Sequence, residues 1–155
     1  MTSQLNVDTI VDKAGSGGPS LPNTTTIKIS NTSTNVSDGG GATQNTVQSL
    51  CKVWVNFNGV GTIAARDSFN MTSLTDNGTG DYTTTFANDF SNANYVFLGN
   101  SMYENSRSHV HGQSSNTAYA TGSMRGISAF VAGTNGEDTA TDGDIVNRAY
   151  LGDLA

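Results

Sequence analysis

Beginning at Leu50, apolar and polar positions alternate. Val53, Val55 and Phe57 fall on one side of an extended chain, and Lys52, Trp54 and Asn56 on the other. A period of two is the signature of a half-buried strand, so 50–57 is predicted to be one. Asn58-Gly59 follows and suits a tight turn. Thr62-Ile63-Ala64-Ala65 reads as a short second strand. Ser68 to Leu74 reads as a third, with Phe69, Met71 and Ser73 alternating against Asn70, Thr72 and Leu74. The run from Thr75 to Asp81 is rich in Asp, Asn and Gly, which tolerate the positive φ of turns. Tyr82 to Phe86 is predicted as a fourth strand. A polar connection spans 88–94, and the apolar run from Tyr95 to Leu98 is a fifth. Turn signals recur about every 8–12 residues, the spacing expected of an antiparallel sandwich or barrel.

The pattern weakens on either side. Downstream, Met102-Tyr103, His109-Val110-His111, Tyr119 and Ile127 to Val131 read as short strands separated by glycines, and Ile145 to Leu151 as a last strand. Upstream, residues 24–30 carry Ile27 and Ile29 on one face of a strand candidate, and 31–45 read as a long Asn/Thr/Ser/Gly loop. Residues 1–23 read as an extended arm. It carries Leu5, Val7, Ile10 and Leu21, with a Gly-rich break at 15–18, and Pro19 and Pro22 keep its end extended. Such a segment suits docking onto another protein by strand addition. The expected organisation is an arm over 1–23, a strand and polar linker over 24–44, and a β-rich domain over 45–155. The expected fold is all-β, an antiparallel sandwich or jelly-roll-like unit with an extended N-terminal arm.

Composition narrows the function. Hydrophobic residues are 35% and charged residues 13% of 155, and there are two Glu and three Lys. Globular domains usually reach about 45–50% apolar. Gly, Ser, Thr and Asn fill the deficit, and these favour strands and turns over helices. So little apolar surface makes a weak single-copy core, and association with sister chains is a standard remedy. A net charge of −6 argues against nucleic acid or an anionic membrane surface as partner. No run of 18 apolar residues suits a membrane helix. The first residues lack the basic and apolar regions of a secretory signal. Cys51, the single cysteine, is expected to be a small buried apolar residue.

The segment from Leu50 to about Gly99 resembles a β domain of tail-fibre proteins from marine phages, cyanophages among them. The residues that carry the likeness are Lys52-Val53-Trp54-Val55-Asn56-Phe57-Asn58-Gly59, Ile63, Arg66-Asp67-Ser68-Phe69-Asn70, the run Thr75 to Tyr82, and Asn94-Tyr95-Val96. Leu5-Asn6-Val7-Asp8-Thr9-Ile10 is similar to the start of many phage structural proteins. The resemblance implies a virion component, a homotrimer at or near the tail. Its partners would be other virion proteins, a tail adaptor or nozzle or the capsid, and a host surface receptor such as a glycan. Little chain precedes the domain, which suits a short fibre, a fibre tip or a capsid-surface fibre better than a long one.

Candidate chemistry is sparse. Hydrolysis needs a nucleophile with a positioned base, or paired carboxylates. Glu104 and Glu137 are the only glutamates and no Gly-x-Ser-x-Gly elbow is present, so no catalytic residue and no enzymatic activity are expected. His109 and His111 stand at i and i+2 of a strand and point the same way. Across a trimer axis, three such pairs would offer imidazole ligands to a transition metal, the one cofactor considered; the alternative is a pair of exposed or hydrogen-bonded histidines. The segments 76–81 and 137–144 are acidic enough to raise calcium, but each reads first as a turn or surface loop. Trp54, Tyr103, Arg107, Tyr119 and Arg125 are the receptor or interface candidates, because aromatics and Arg on Ser/Gly/Asn-rich surfaces make rigid contacts. Trp54 opposes the Val53/Val55/Phe57 face and is expected in a subunit interface.

Overall fold

The computed structural model describes residues 29–30, 32–36, 41–103, 107–113, 119–132 and 137–155. The arm over 1–23, with Leu5, Val7, Ile10 and Leu21, and most of the strand candidate at 24–30 lie outside these residues. Among the described residues there is no helix, and so none long and apolar enough to cross a membrane. Two short strands, β1 (Thr34–Val36) and β2 (Thr43–Asn45), pair with each other where the sequence suggests only a loop.

Ten further strands form one antiparallel sheet: β3 (Val53–Asn58), β4 (Ala64–Phe69), β5 (Met71–Gly78), β6 (Asp81–Phe86), β7 (Val96–Tyr103), β8 (Arg107–Gln113), β9 (Tyr119–Ala120), β10 (Ser123–Ala132), β11 (Glu137–Ala140) and β12 (Ile145–Leu151). Their order is β4-β3-β12-β7-β8-β10-β6-β5, with β9 and β11 also on β10. The sheet doubles back on itself at β8. Residues 107–110 of that strand pair with β7, and residues 110–113 pair with β10. One strand therefore belongs to both layers, and the result is an all-β sandwich with β4-β3-β12-β7 facing β5-β6-β10.

The core lies between the layers. Period two puts Val53, Val55 and Phe57 of β3, Val146 and Tyr150 of β12, and Tyr82 and Phe86 of β6 on the inner faces, all buried. Two apolar clusters result. One gathers Phe86, Phe90, Tyr95, Tyr150, Met124 and Val53 in edge-to-face and stacked ring contacts, such as Phe86–Tyr150 at 4.9 Å and Phe90–Tyr95 at 4.4 Å. The other joins Val55, Phe57, Tyr82 and Val146. Arg148 is buried on the inner face of β12, and its guanidinium lies 5.5 Å from the Phe57 ring and 5.7 Å from the Tyr82 and Phe97 rings.

Several expectations shift once the chain is folded. Ser68 to Leu74 is two strands, not one. The break is Asn70, whose φ of 55° turns the chain from one layer into the other. Asn can adopt this left-handed conformation because its short polar side chain bonds locally. Cys51 is exposed, not buried, because β3 begins only at Val53. Lys52 is not on the solvent face with Trp54 and Asn56. It is buried, donating from Nζ to the Val47 and Leu50 carbonyls. The strands predicted at 62–65 and 95–98 are the longer β4 and β7.

Candidate functional site

The two layers turn different outer faces to solvent. On β5-β6-β10 the outward residues are mainly hydroxylic, with Thr75 opposite Thr83 and Ser73 opposite Thr85. Arg125 lies opposite Thr83 and grips Asp81 with two nitrogens, Nε at 2.9 Å from Oδ1 and Nη2 at 2.7 Å from Oδ2. That bond, then the nearby charge, raises the Arg125 guanidinium above its ordinary value. A wetted face of this kind is unremarkable.

The face of β4-β3-β12-β7 is different. Strand register aligns Phe69, Trp54, Ala149 and Leu98 in one row across four strands. Phe69 and Leu98 are each 55% exposed and Trp54 37%, and Val96, opposite Leu151 on the next row, is 56% exposed. Beside the apolar row runs a polar one, Asp67, Asn56, Asn147 and Asn100. Its amides are chained: Asn56 Nδ2 donates to Asn147 Oδ1 at 2.6 Å, and Asn147 Nδ2 donates to Asn100 Oδ1 at 2.9 Å. This ladder ties three side chains to one another beside the apolar row. Ala149 forms the floor between Trp54 and Leu98, and the trough they enclose with Asn56, Asn100 and Asn147 measures about 490 Å³. On β3, β12 and β7 this face carries no charged residue. An exposed apolar row of this kind is the candidate interaction surface of the described residues.

Beneath the face, Arg148 is the strut. Nη1 donates to the Tyr82 carbonyl at 2.9 Å and to Thr84 Oγ1 at 3.3 Å, and Nη2 donates to the Gly126 carbonyl at 2.8 Å. All three acceptors belong to the opposite layer. Burial pushes the guanidinium below the ordinary arginine value, opposed by the nearby Tyr150. Tyr150 itself is held up by burial and bonds Thr84 Oγ1 at 2.9 Å. At one end of the sandwich the two acidic segments meet. Asp142 Oδ1 accepts from the Gly80 amide at 2.7 Å and lies 2.6 Å from the Tyr82 hydroxyl. Burial, then that bond, raises Tyr82 well above the ordinary tyrosine range. Asp142 thus ties loop to loop, and among the described residues no group of three or more His, Cys, Asp or Glu is placed to hold a metal.

No known protein family, curated protein or solved structure matches this chain. The candidates from sequence scatter over the molecule. Trp54 lies on the apolar face. Tyr119 is part-buried against the core, its ring 4.9 Å from Tyr95. Arg125 is on the opposite outer face. Tyr103 and Arg107 face each other in the β7–β8 register, and His109 and His111 of β8 lie opposite Ser101 and Ser128. The side chains of these last four lie outside the described residues. Leu98, Phe69, Ala149 and the amide ladder were missed. Their signal was present in the alternation of Ile145, Asn147, Ala149 and Leu151, but one-dimensional reading does not reveal which strands are neighbours.

Proposed function

We propose that this chain is a structural protein of a phage virion, a short tail fibre or fibre tip that assembles as a homotrimer and adsorbs to the host surface. One observation carries the reading. Ten hydrophobic residues are buried among the described residues, while nine large ones remain exposed. Among the described residues a lone copy therefore leaves nine large hydrophobic side chains 37–56% exposed, and burial of such surface drives association at roughly 25 cal/mol per Å². The fold suits display: among the described residues the outer strands of one layer present hydroxyls and the Arg125–Asp81 ion pair, a hydrated surface. The likeness of 50–99 to marine phage fibre domains supports the same reading. Multivalent contact lets weak single-site binding sum to useful avidity.

Two measurements test it. Light scattering on the purified full chain gives the mass in solution, with three copies expected. Gold-labelled antibody on intact particles is expected at the tail. Label spread over the head would replace this reading with a capsid-decorating protein, and no label on particles would sink it. Release of reducing ends from host polysaccharide would instead identify a depolymerase.

A further inference from the structure

We infer that the outer face of β4-β3-β12-β7 is the surface on which copies of this chain meet, with Phe69 of one copy seated in the trough between Trp54 and Leu98 of the next. The inference deepens the homotrimer reading and rests on it. Three observations select a second copy as the occupant.

The first is charge. The chain carries −6, so copies repel wherever their acidic surfaces approach. The face formed by β3, β12 and β7 has only Trp54, Asn56, Asn58, Ile145, Asn147, Ala149, Leu151, Val96, Leu98, Asn100 and Met102 outward, none of them charged. One carboxylate, Asp67, stands at the β4 edge of this face beside Phe69; the rest is uncharged, so an acidic chain can meet itself here with little like-charge penalty. The opposite outer face bears Asp81 and Arg125, already neutralising each other.

The second is shape. The apolar row carries an exposed ring, Phe69, at its β4 end and a hollow over Ala149 between Trp54 and Leu98. Phe69 stands one strand from Trp54 and two from Ala149, so ring and hollow are different patches of one face. Contact between different patches of identical chains is heterologous, and it closes into a ring when the rotation between copies allows.

The third is the rigidity of the ladder. Asn56, Asn147 and Asn100 bond to one another. Their amides are therefore partly satisfied before contact, which lowers the desolvation penalty of covering them.

Trp54 is the only tryptophan, so it reports on this face without labelling. The experiment combines mass by sedimentation with acrylamide quenching of Trp54 emission, on the full chain and on Leu98→Asp and Phe69→Asp. Thr75→Asp, exposed on the hydroxylic face, is the control for added charge. The expected result is a trimer with blue-shifted, poorly quenched emission. Each apolar-face variant should weaken association by at least about tenfold while the control does not. Far-UV circular dichroism checks that the variants fold, and the wild-type quenching needs no variant at all. A trimer with freely quenched Trp54, or one indifferent to both Asp substitutions, overturns this assignment and leaves the homotrimer standing. A wild-type monomer overturns both. A monomer with protected Trp54 would mean the chain covers its own face, and a monomer whose emission shifts with host polysaccharide would mean a receptor does. Either of these also overturns the assignment.

Discussion

At the scale of single residues, Arg148 shows how a polar side chain can organise a small apolar core. A buried cation is costly unless it is hydrogen-bonded; here Nη1 and Nη2 find three acceptors across the sandwich, while the buried Nε has none. Removing it leaves two buried carbonyls short of a donor and opens a cavity among three rings. Arg148→Ala should lower the unfolding free energy by about 3–5 kcal/mol in urea titrations. Arg148→Lys should recover less than half of that, because an ammonium lacks the planar fork. The tyrosines set the response to base. Burial raises Tyr82 and Tyr95, so the native state holds their protons where the unfolded chain has lost them. Their contribution is complete below about pH 10, the unfolded value, and declines as pH climbs above it. Each should remove up to about 1.4 kcal/mol per pH unit in that window. Urea midpoints that stay flat above about pH 10 would contradict this, as would ultraviolet titration showing ordinary tyrosines.

At the scale of elements, two of the places where the chain changes layer are informative. Asn70 separates β4 from β5. Its Nδ2 donates to the Lys52 carbonyl at 3.1 Å, and its Oδ1 accepts from the Asn88 amide at 2.9 Å and from Asn88 Nδ2 at 2.6 Å. The bonds hold a left-handed residue that would otherwise be strained. Asn70→Ala should cost about 2–3 kcal/mol, and Asn70→Gly distinctly less, because glycine restores the backbone freedom but not the bonds. Equal losses in thermal unfolding would show that backbone strain plays no part. β8 turns the other corner by pairing with both layers, which needs no special residue type, only a strand long enough to be shared.

At the scale of the molecule, the apolar outer face links stability to assembly. If copies cover that face, the folded state is stabilised by mass action and the thermal midpoint depends on concentration. A hundredfold increase in chain concentration should raise the midpoint of the wild-type protein by several degrees. Leu98→Asp should flatten that dependence without lowering the midpoint measured at high dilution. A wild-type midpoint independent of concentration would argue that each copy folds and stays alone.

The sequence by itself determined what is local. Period-two alternation from Val53 to Phe57, the apolar run from Ile145 to Leu151, the scarcity of helix formers and the Asn/Gly-rich segment 75–81 were sufficient for an all-β reading, although β5 runs on to Gly78 and narrows that turn to residues 79–80. They also separated the Val53/Val55/Phe57 face from Trp54. What lies across the sheet was not legible. That Phe69, Trp54, Ala149 and Leu98 form one row depends on pairing between segments up to 95 residues apart, which no local pattern encodes. Arg148 sat on the face that alternation marks as buried, yet its role required three acceptors brought from β6 and β10. Asn70 looked like an ordinary strand position until the layers had to be joined there. Side-chain period is a property of one strand, whereas neighbours, corners and exposed faces exist only after strands pair. Only the tertiary structure could therefore decide them.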